Sequence, residues 1–211
     1  MHKLKFSILL LIISILPISA QKSTDAETLI NNLLNNIKST PFRTEFTLSI
    51  NQKNELPSQA MSGTFTMKGK KFYIESEIIK VWFDGKTQWG LNTQSNEVSI
   101  SEPTEQELTE TNPLTVIAAY KTKCNIRLSK IKSNKFDIIE LIPKVKNNDF
   151  TKIEVRIERS TGNPNSISIF EKSGNTSVLV LSNFKKGVTV TDSYFVFDKS
   201  KFKGITVNDL R

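Results

Sequence analysis

The stretch Asp84-Gly85-Lys86-Thr87-Gln88-Trp89 constrains the fold of this chain more than any other. It joins the apolar run Ile78–Phe83 to a second run ending near Leu91. Asp-Gly supplies the positive φ angles of a tight two-residue turn, so the segment reads as a β-hairpin. Strands joined this closely must pair antiparallel, because a parallel return needs a crossover of about a dozen residues. The middle of the chain is therefore β-rich and antiparallel.

The same reading extends in both directions. Phe42, Thr44, Phe46, Leu48 and Ile50 alternate with Arg43, Glu45, Thr47 and Ser49, a period of two. Met61, Gly63, Phe65 and Met67 follow, then Phe72 and Ile74, then Ile79, Val81 and Phe83, with a short strand at Glu97–Ser101. Further strands are expected at Asn125–Lys130, Phe136–Pro143, Lys152–Arg159, Ser166–Glu171, Ser177–Phe184 and Thr189–Phe197. Asn147-Asn148-Asp149, Thr161-Gly162-Asn163-Pro164 and Ser173-Gly174-Asn175 are turns between them. A helix precedes the strands: Thr24 and Glu27 form a capping box, and Ala26, Leu29, Ile30, Leu33, Leu34 and Ile37 form one apolar stripe before Ser39-Thr40-Pro41. Asn112-Pro113 starts a short apolar helix to about Tyr120. The chain is mainly β (α+β), with about ten or eleven strands and two or three helices, and its connections are too short for βαβ crossovers.

Met1–Ala20 has the layout of a cleaved secretory signal peptide. His2, Lys3 and Lys5 precede the apolar Phe6–Leu16, and Pro17-Ile18-Ser19-Ala20 ends on a small residue. That apolar core falls short of the ~20 residues a spanning helix needs. Residues 21–211 then form a single exported domain, with no linker or repeat dividing them. The net charge of +8 drops by two without Lys3 and Lys5. Its lysines are scattered, with small concentrations at Lys68–Lys71 and Lys199–Lys203, which describes a solvated surface. No basic-aromatic motif points to nucleic acid. The single cysteine, Cys124, has no internal disulfide partner and reads as a small buried hydrophobe.

The residue inventory argues against catalysis. The only histidine, His2, leaves with the leader, which removes imidazole bases, triads and His metal ligands. Ser-x-x-Lys spacing occurs at Ser129/Lys132, Ser182/Lys185 and Ser200/Lys203. Strand geometry sends positions i and i+3 of the first two to opposite faces. Glu102, Glu105, Glu107 and Glu110 sit in a polar connection and read as a solvated loop rather than an acid/base pair. The glycines are isolated, so no phosphate-cradling loop exists and no cofactor is expected.

The order of these segments resembles the LolA family of periplasmic lipoprotein carriers. The residues that carry the resemblance are Phe42-Arg43-Thr44-Glu45-Phe46 after the first helix, Ser62-Gly63-Thr64-Phe65, Lys70-Lys71-Phe72, the hairpin Asp84–Trp89, Asn112-Pro113-Leu114, and Phe195, Phe197 and Lys203–Asp209 near the end. The resemblance implies an incomplete antiparallel β-barrel covered on its concave face by the N-terminal helix and short lid helices. It implies a monomeric carrier that takes lipoprotein acyl chains from an inner-membrane release complex to an outer-membrane acceptor. The cavity wall expected from it is Phe46, Leu48, Phe65, Met67, Phe72, Ile74, Phe83 and Trp89, and the lid is Leu29, Leu33, Ile37, Leu114 and Ile117. Alternatives on the same fold are a lipid-sensing or protein-interaction module and a carrier of another lipid. One departure stands out: family members carry a lid-tying arginine in the stretch matching Lys68-Gly69-Lys70, where this chain has glycine at the matching position. Lysines beside it lack the planar donor fork of a guanidinium.

Overall fold

The computed structural model describes residues 19–55, 60–145 and 148–211. The elements run α1 (Ser19–Ser39), β1 (Phe42–Asn51), β2 (Met61–Lys68), β3 (Lys71–Ser76), β4 (Ile79–Phe83), β5 (Gln88–Asn92) and β6 (Glu97–Ser101). Then come α2 (Glu105–Thr111), α3 (Pro113–Lys121), β7 (Cys124–Leu128), β8 (Phe136–Pro143), β9 (Phe150–Glu158), β10 (Pro164–Glu171), β11 (Thr176–Lys186) and β12 (Thr206–Asp209). All twelve strands form one open sheet in the order β12-β6-β5-β4-β3-β2-β1-β11-β10-β9-β8-β7. The expected leader falls almost wholly outside the described residues.

The alternating positions of β1 behave as their pattern dictates: Phe42, Thr44 and Phe46 are buried, and Arg43 and Glu45 are exposed. One face of the sheet carries most of the core, including Phe65, Met67, Phe72, Val81, Phe83, Val155, Ile167, Leu179 and Leu181. Ala26, Ile30, Leu33 and Ile37 of α1 belong to that same core. α1 touches β7 at the sheet's edge and also β2, six places along the strand order. Only a curled sheet brings those two strands to one helix, which is consistent with an incomplete barrel.

Several expectations need correction. The hairpin is real, but only Gly85 is left-handed (φ 104°); Asp84 instead accepts the Lys86 and Thr87 backbone N–H groups at 2.8 Å each. Gly85 and Lys86 are thus the central pair, and Asp84 acts by side-chain capping. Helix α1 runs through Thr24, because nothing in Ser19–Ser23 breaks a helix, so Thr24 is not its N-cap. Thr189–Phe197 is not a strand: Asp192–Phe195 forms a 3-10 turn with Phe195 fully buried. β12, unpredicted, pairs parallel with β6, so the sheet is mixed at that edge.

The supposed polar connection folds as α2. Thr104 caps it with a capping box to Glu107, whose carboxyl lies below its usual range because the Thr104 backbone N–H and then its hydroxyl donate to it. Thr104-x-x-Glu107 was the readable signal for this helix. Asn112 ends α2 and caps α3, accepting the Leu114 N–H at 3.0 Å, with Pro113 at the first position as expected.

Candidate functional site

The buried face is not filled evenly. One end of it, bounded by the turns 69–70, 84–87, 129–135 and 159–163, is closed by packed aromatic rings. Phe42 lies 4.6 Å from Phe184 and 5.8 Å from Phe65 between ring centroids, and Phe72 lies 5.2 Å from Phe83. Leu33 and Ile37 of α1 fill the same end. Toward the other end, where the connections 77–78, 93–96, 122–123 and 172–175 lie, the sheet and the α2–α3 segment separate.

Between them is a cavity of about 400 Å³, within the usual range of small-ligand pockets. Its walls are Phe46 and Leu48 from β1, Met61 and Phe65 from β2, Ile74 from β3, Phe150 and Ile153 from β9, Ile169 from β10, and Leu179 and Leu181 from β11. Thr109 and Thr111 of α2 and Leu114, Val116 and Tyr120 of α3 line the facing side. Tyr120 stands edge-on to Phe150 with centroids 4.8 Å apart. The outermost lining residues Leu48, Met61, Ile74 and Ile169 are half-exposed, whereas Phe65, Leu179 and Leu181 are buried, so the cavity opens at the rim carrying these connections.

Of the expected wall, the structure brings Phe46, Leu48, Phe65 and Ile74 to the cavity; of the expected lid, Leu114 alone. Met67, Phe72 and Phe83 are core residues of the closed end. Leu33, Ile37 and Ile117 are buried core, and Leu29 packs against it. Trp89 lies on the opposite face. It pairs across strands with Trp82 and packs beside Tyr73, Leu91, Val98 and Phe195. The reason is the strand period: Val81 and Phe83 face the main core, so Trp82 and its partner Trp89 face away.

That second cluster explains the chain's end. Phe197 and Phe202 contact Trp82 at 5.3 and 5.9 Å, and Asp192 binds the Nζ groups of Lys68 and Lys71 at 2.9 and 2.8 Å. Those two ammonium groups hold the Asp192 carboxyl down to about 2. Burial pushes the Tyr73 phenol well up, helped by Glu75 nearby. Gly69 (φ 62°) makes the β2–β3 turn at the closed end. Lys68 and Lys71, on either side of the Gly69 turn, therefore help fasten the C-terminal segment to the outer face.

The groups weighed for chemistry have other partners. Ser129 Oγ donates to Glu140 and Ser200 Oγ to Asp198. Glu102 pairs with Lys86 at 3.0 Å, and Glu107 caps α2. Cys124 is buried, and that burial pushes its thiol up, more than Lys144 lowers it. Asn112 is 1% exposed, and its Nδ2 has no hydrogen-bond partner among the described residues. Among the described residues no helix is long and apolar enough to cross a membrane.

Fold and cavity define the class: a mostly β domain whose single open sheet holds an apolar chamber at one rim. A family model for outer membrane lipoprotein carrier protein LolA matches residues 20–173, and the chain belongs to that family. No curated protein matches it. The crystal structure of an uncharacterized conserved protein from Thermus thermophilus has a similar fold, with TM-score 0.58 and 13% identity over 88% of this chain and 99% of that one. LolA superfamily protein NE2245 from Nitrosomonas europaea is similar at TM-score 0.43 and 14% identity, over 82% and 98%. MucB in the Pseudomonas aeruginosa MucA/MucB complex is similar at TM-score 0.41 and 12% identity, over 82% and 61%.

Proposed function

We propose that this protein is a periplasmic carrier that shields lipoprotein acyl chains between the inner and outer membranes, without catalysis. The observation that carries the reading is the apolar cavity between the sheet and α2–α3, in a chain of the lipoprotein-carrier family. Enclosing a long acyl chain is worth roughly 10 kcal/mol at about 0.8 kcal/mol per methylene. That energy has to be recovered at delivery, so one wall should yield. The α2–α3 segment is the natural candidate for that wall, because it lines the side of the cavity facing the sheet and has its own junction at Asn112. An inner-membrane release complex would load the carrier and an outer-membrane acceptor would empty it.

The test is purification from an envelope extract under non-denaturing conditions, then mass spectrometry of what co-purifies. Acylated lipoproteins are the expected cargo. Free lipid alone would make it a carrier of another lipid, and a bound protein partner without acyl chains would make it an interaction module. A protein that comes out empty and ignores fluorescent fatty acids would refute every carrier reading.

A further inference from the structure

We propose that the cavity's rim selects guests carrying negative charge next to the acylated end; this rests on the carrier reading above. With the acyl chain inside, whatever is joined to it must leave across the rim. On the α3–β10 side that rim is held by two sets of bonds between its connections. Lys144 N–H donates to Lys123 C=O at 3.1 Å, Lys144 Nζ donates to Thr122 C=O at 3.0 Å, and Lys172 N–H donates to Asp149 C=O at 2.9 Å. Lys123 Nζ sits 5.6 Å over the ring of Tyr120, and Tyr120 and Phe150 line the cavity.

Lys121, Lys123 and Lys144 thus bring their charge to this lip beside Tyr120, and Asp149 and Glu171 are the acids among its described residues. Glu171 is engaged by Ser173 Oγ at 2.9 Å. The facing lip adds apolar surface: Ile50 and Ile79 continue the inner faces of β1 and β4 and stand 44% and 40% exposed, with Lys53, Glu55 and Glu77 on the connections beyond them. Such a mouth orients a guest, with greasy contact on one side and ammonium groups, on stems that can lie along apolar surface, on the other. The shared chemistry is an anionic group joined to the acyl chain. In a lipoprotein it would be acidic residues following the acylated cysteine; in a lipid, a headgroup phosphate.

The experiment measures binding of two diacylated cysteine peptides, one continued by four aspartates and one by four serines, by competition against a fluorescent fatty acid. A second arm compares lysophospholipids with glycerol-phosphate and choline-phosphate headgroups. The aspartate peptide should bind about ten-fold tighter at about 50 mM salt, approaching parity near 1 M, where the Debye length is about 3 Å. In the triple variant Lys121→Glu, Lys123→Glu, Lys144→Glu that ratio should invert. A preference confined to the lysophospholipids would support the charged lip with lipid as its source. Equal binding in both arms would overturn the proposal and leave the carrier reading standing. Failure of every ligand to compete would remove the carrier reading, and this proposal with it.

Discussion

Leu179→Trp separates a genuine chamber from ordinary core. Leu179 is buried in the first half of β11, opposite Leu48, and lines the cavity. In a filled core, forcing in a larger ring costs about 1–3 kcal/mol through shifted rotamers and backbone. Here the ring meets about 400 Å³ of vacant apolar space. Removing on the order of 50 Å² of additional apolar surface from water would stabilise the fold by about 1 kcal/mol. Phe72→Trp is the matched control, since Phe72 is 1% exposed among the rings of the closed end. For a domain of this size 1 kcal/mol moves Tm by about 2–4 °C, so the two variants should part by roughly 5 °C or more. Thermal unfolding followed by circular dichroism gives one readout, and uptake of a fluorescent fatty acid gives the other. Leu179→Trp should match or exceed the parent in Tm and lose uptake. If it melts as early as Phe72→Trp and still takes up the probe, the chamber is not where the carrier reading needs it.

Phe65→Glu puts a carboxylate in the cavity wall and should abolish uptake while the protein is still exported; unchanged uptake would show that guests bind elsewhere. Gly63→Ala should lower Tm by several degrees, because a Cβ there would strike the Glu75 carbonyl and press the Phe46 ring, and a backbone obstacle cannot swing aside; a neutral effect in unfolding curves would contradict the packing. The Asp192 carboxyl is depressed to about 2 from 3.8, so its hold on the C-terminal segment is complete above pH 4 and fades as pH falls toward 2. Limited proteolysis should accordingly cut the segment after Gly187 faster at pH 2.5 than at pH 5, while Phe195 and the β12–β6 pairing still hold it. Asp192→Asn should already be cut faster than the parent at pH 5, and an unchanged rate in that variant would refute the role given to the two lysines.

The sheet was legible because its information is local. Period-two alternation in Phe42–Ile50 fixes which side chains share a face, and the turn at Gly85 fixes antiparallel pairing of its neighbours. What the sequence hid depends on distant partners. Thr206–Asp209 is a strand only because the β6 edge is there to pair with it, and all four of its residues are exposed. The aromatic residues at Tyr194, Phe195 and Phe197 keep no period because they anchor a 3-10 turn and flanking coil onto Trp82 and Tyr73.

The cavity was only half legible, for a geometric reason. Alternation names the face a residue points to but not its height along the strand. Phe46 and Phe72 share a face, yet Phe72 is the second residue of β3, at the end closed by rings, while Phe46 stands at mid-sheet and lines the cavity. Height follows from which strand ends meet at the same rim, and that needs the full strand order. The residues missed on β9–β11, Phe150, Ile153, Ile169, Leu179 and Leu181, carried the same apolar signal as those found on β1–β3. They became wall residues because β11 pairs with β1, which folds the C-terminal half of the sheet round to face α2 and α3. A chamber formed this way borrows walls from both halves of the chain. Loosening the β1–β11 seam should therefore impair uptake more than an equal loss of stability at the β5–β6 edge, which contributes no lining residue.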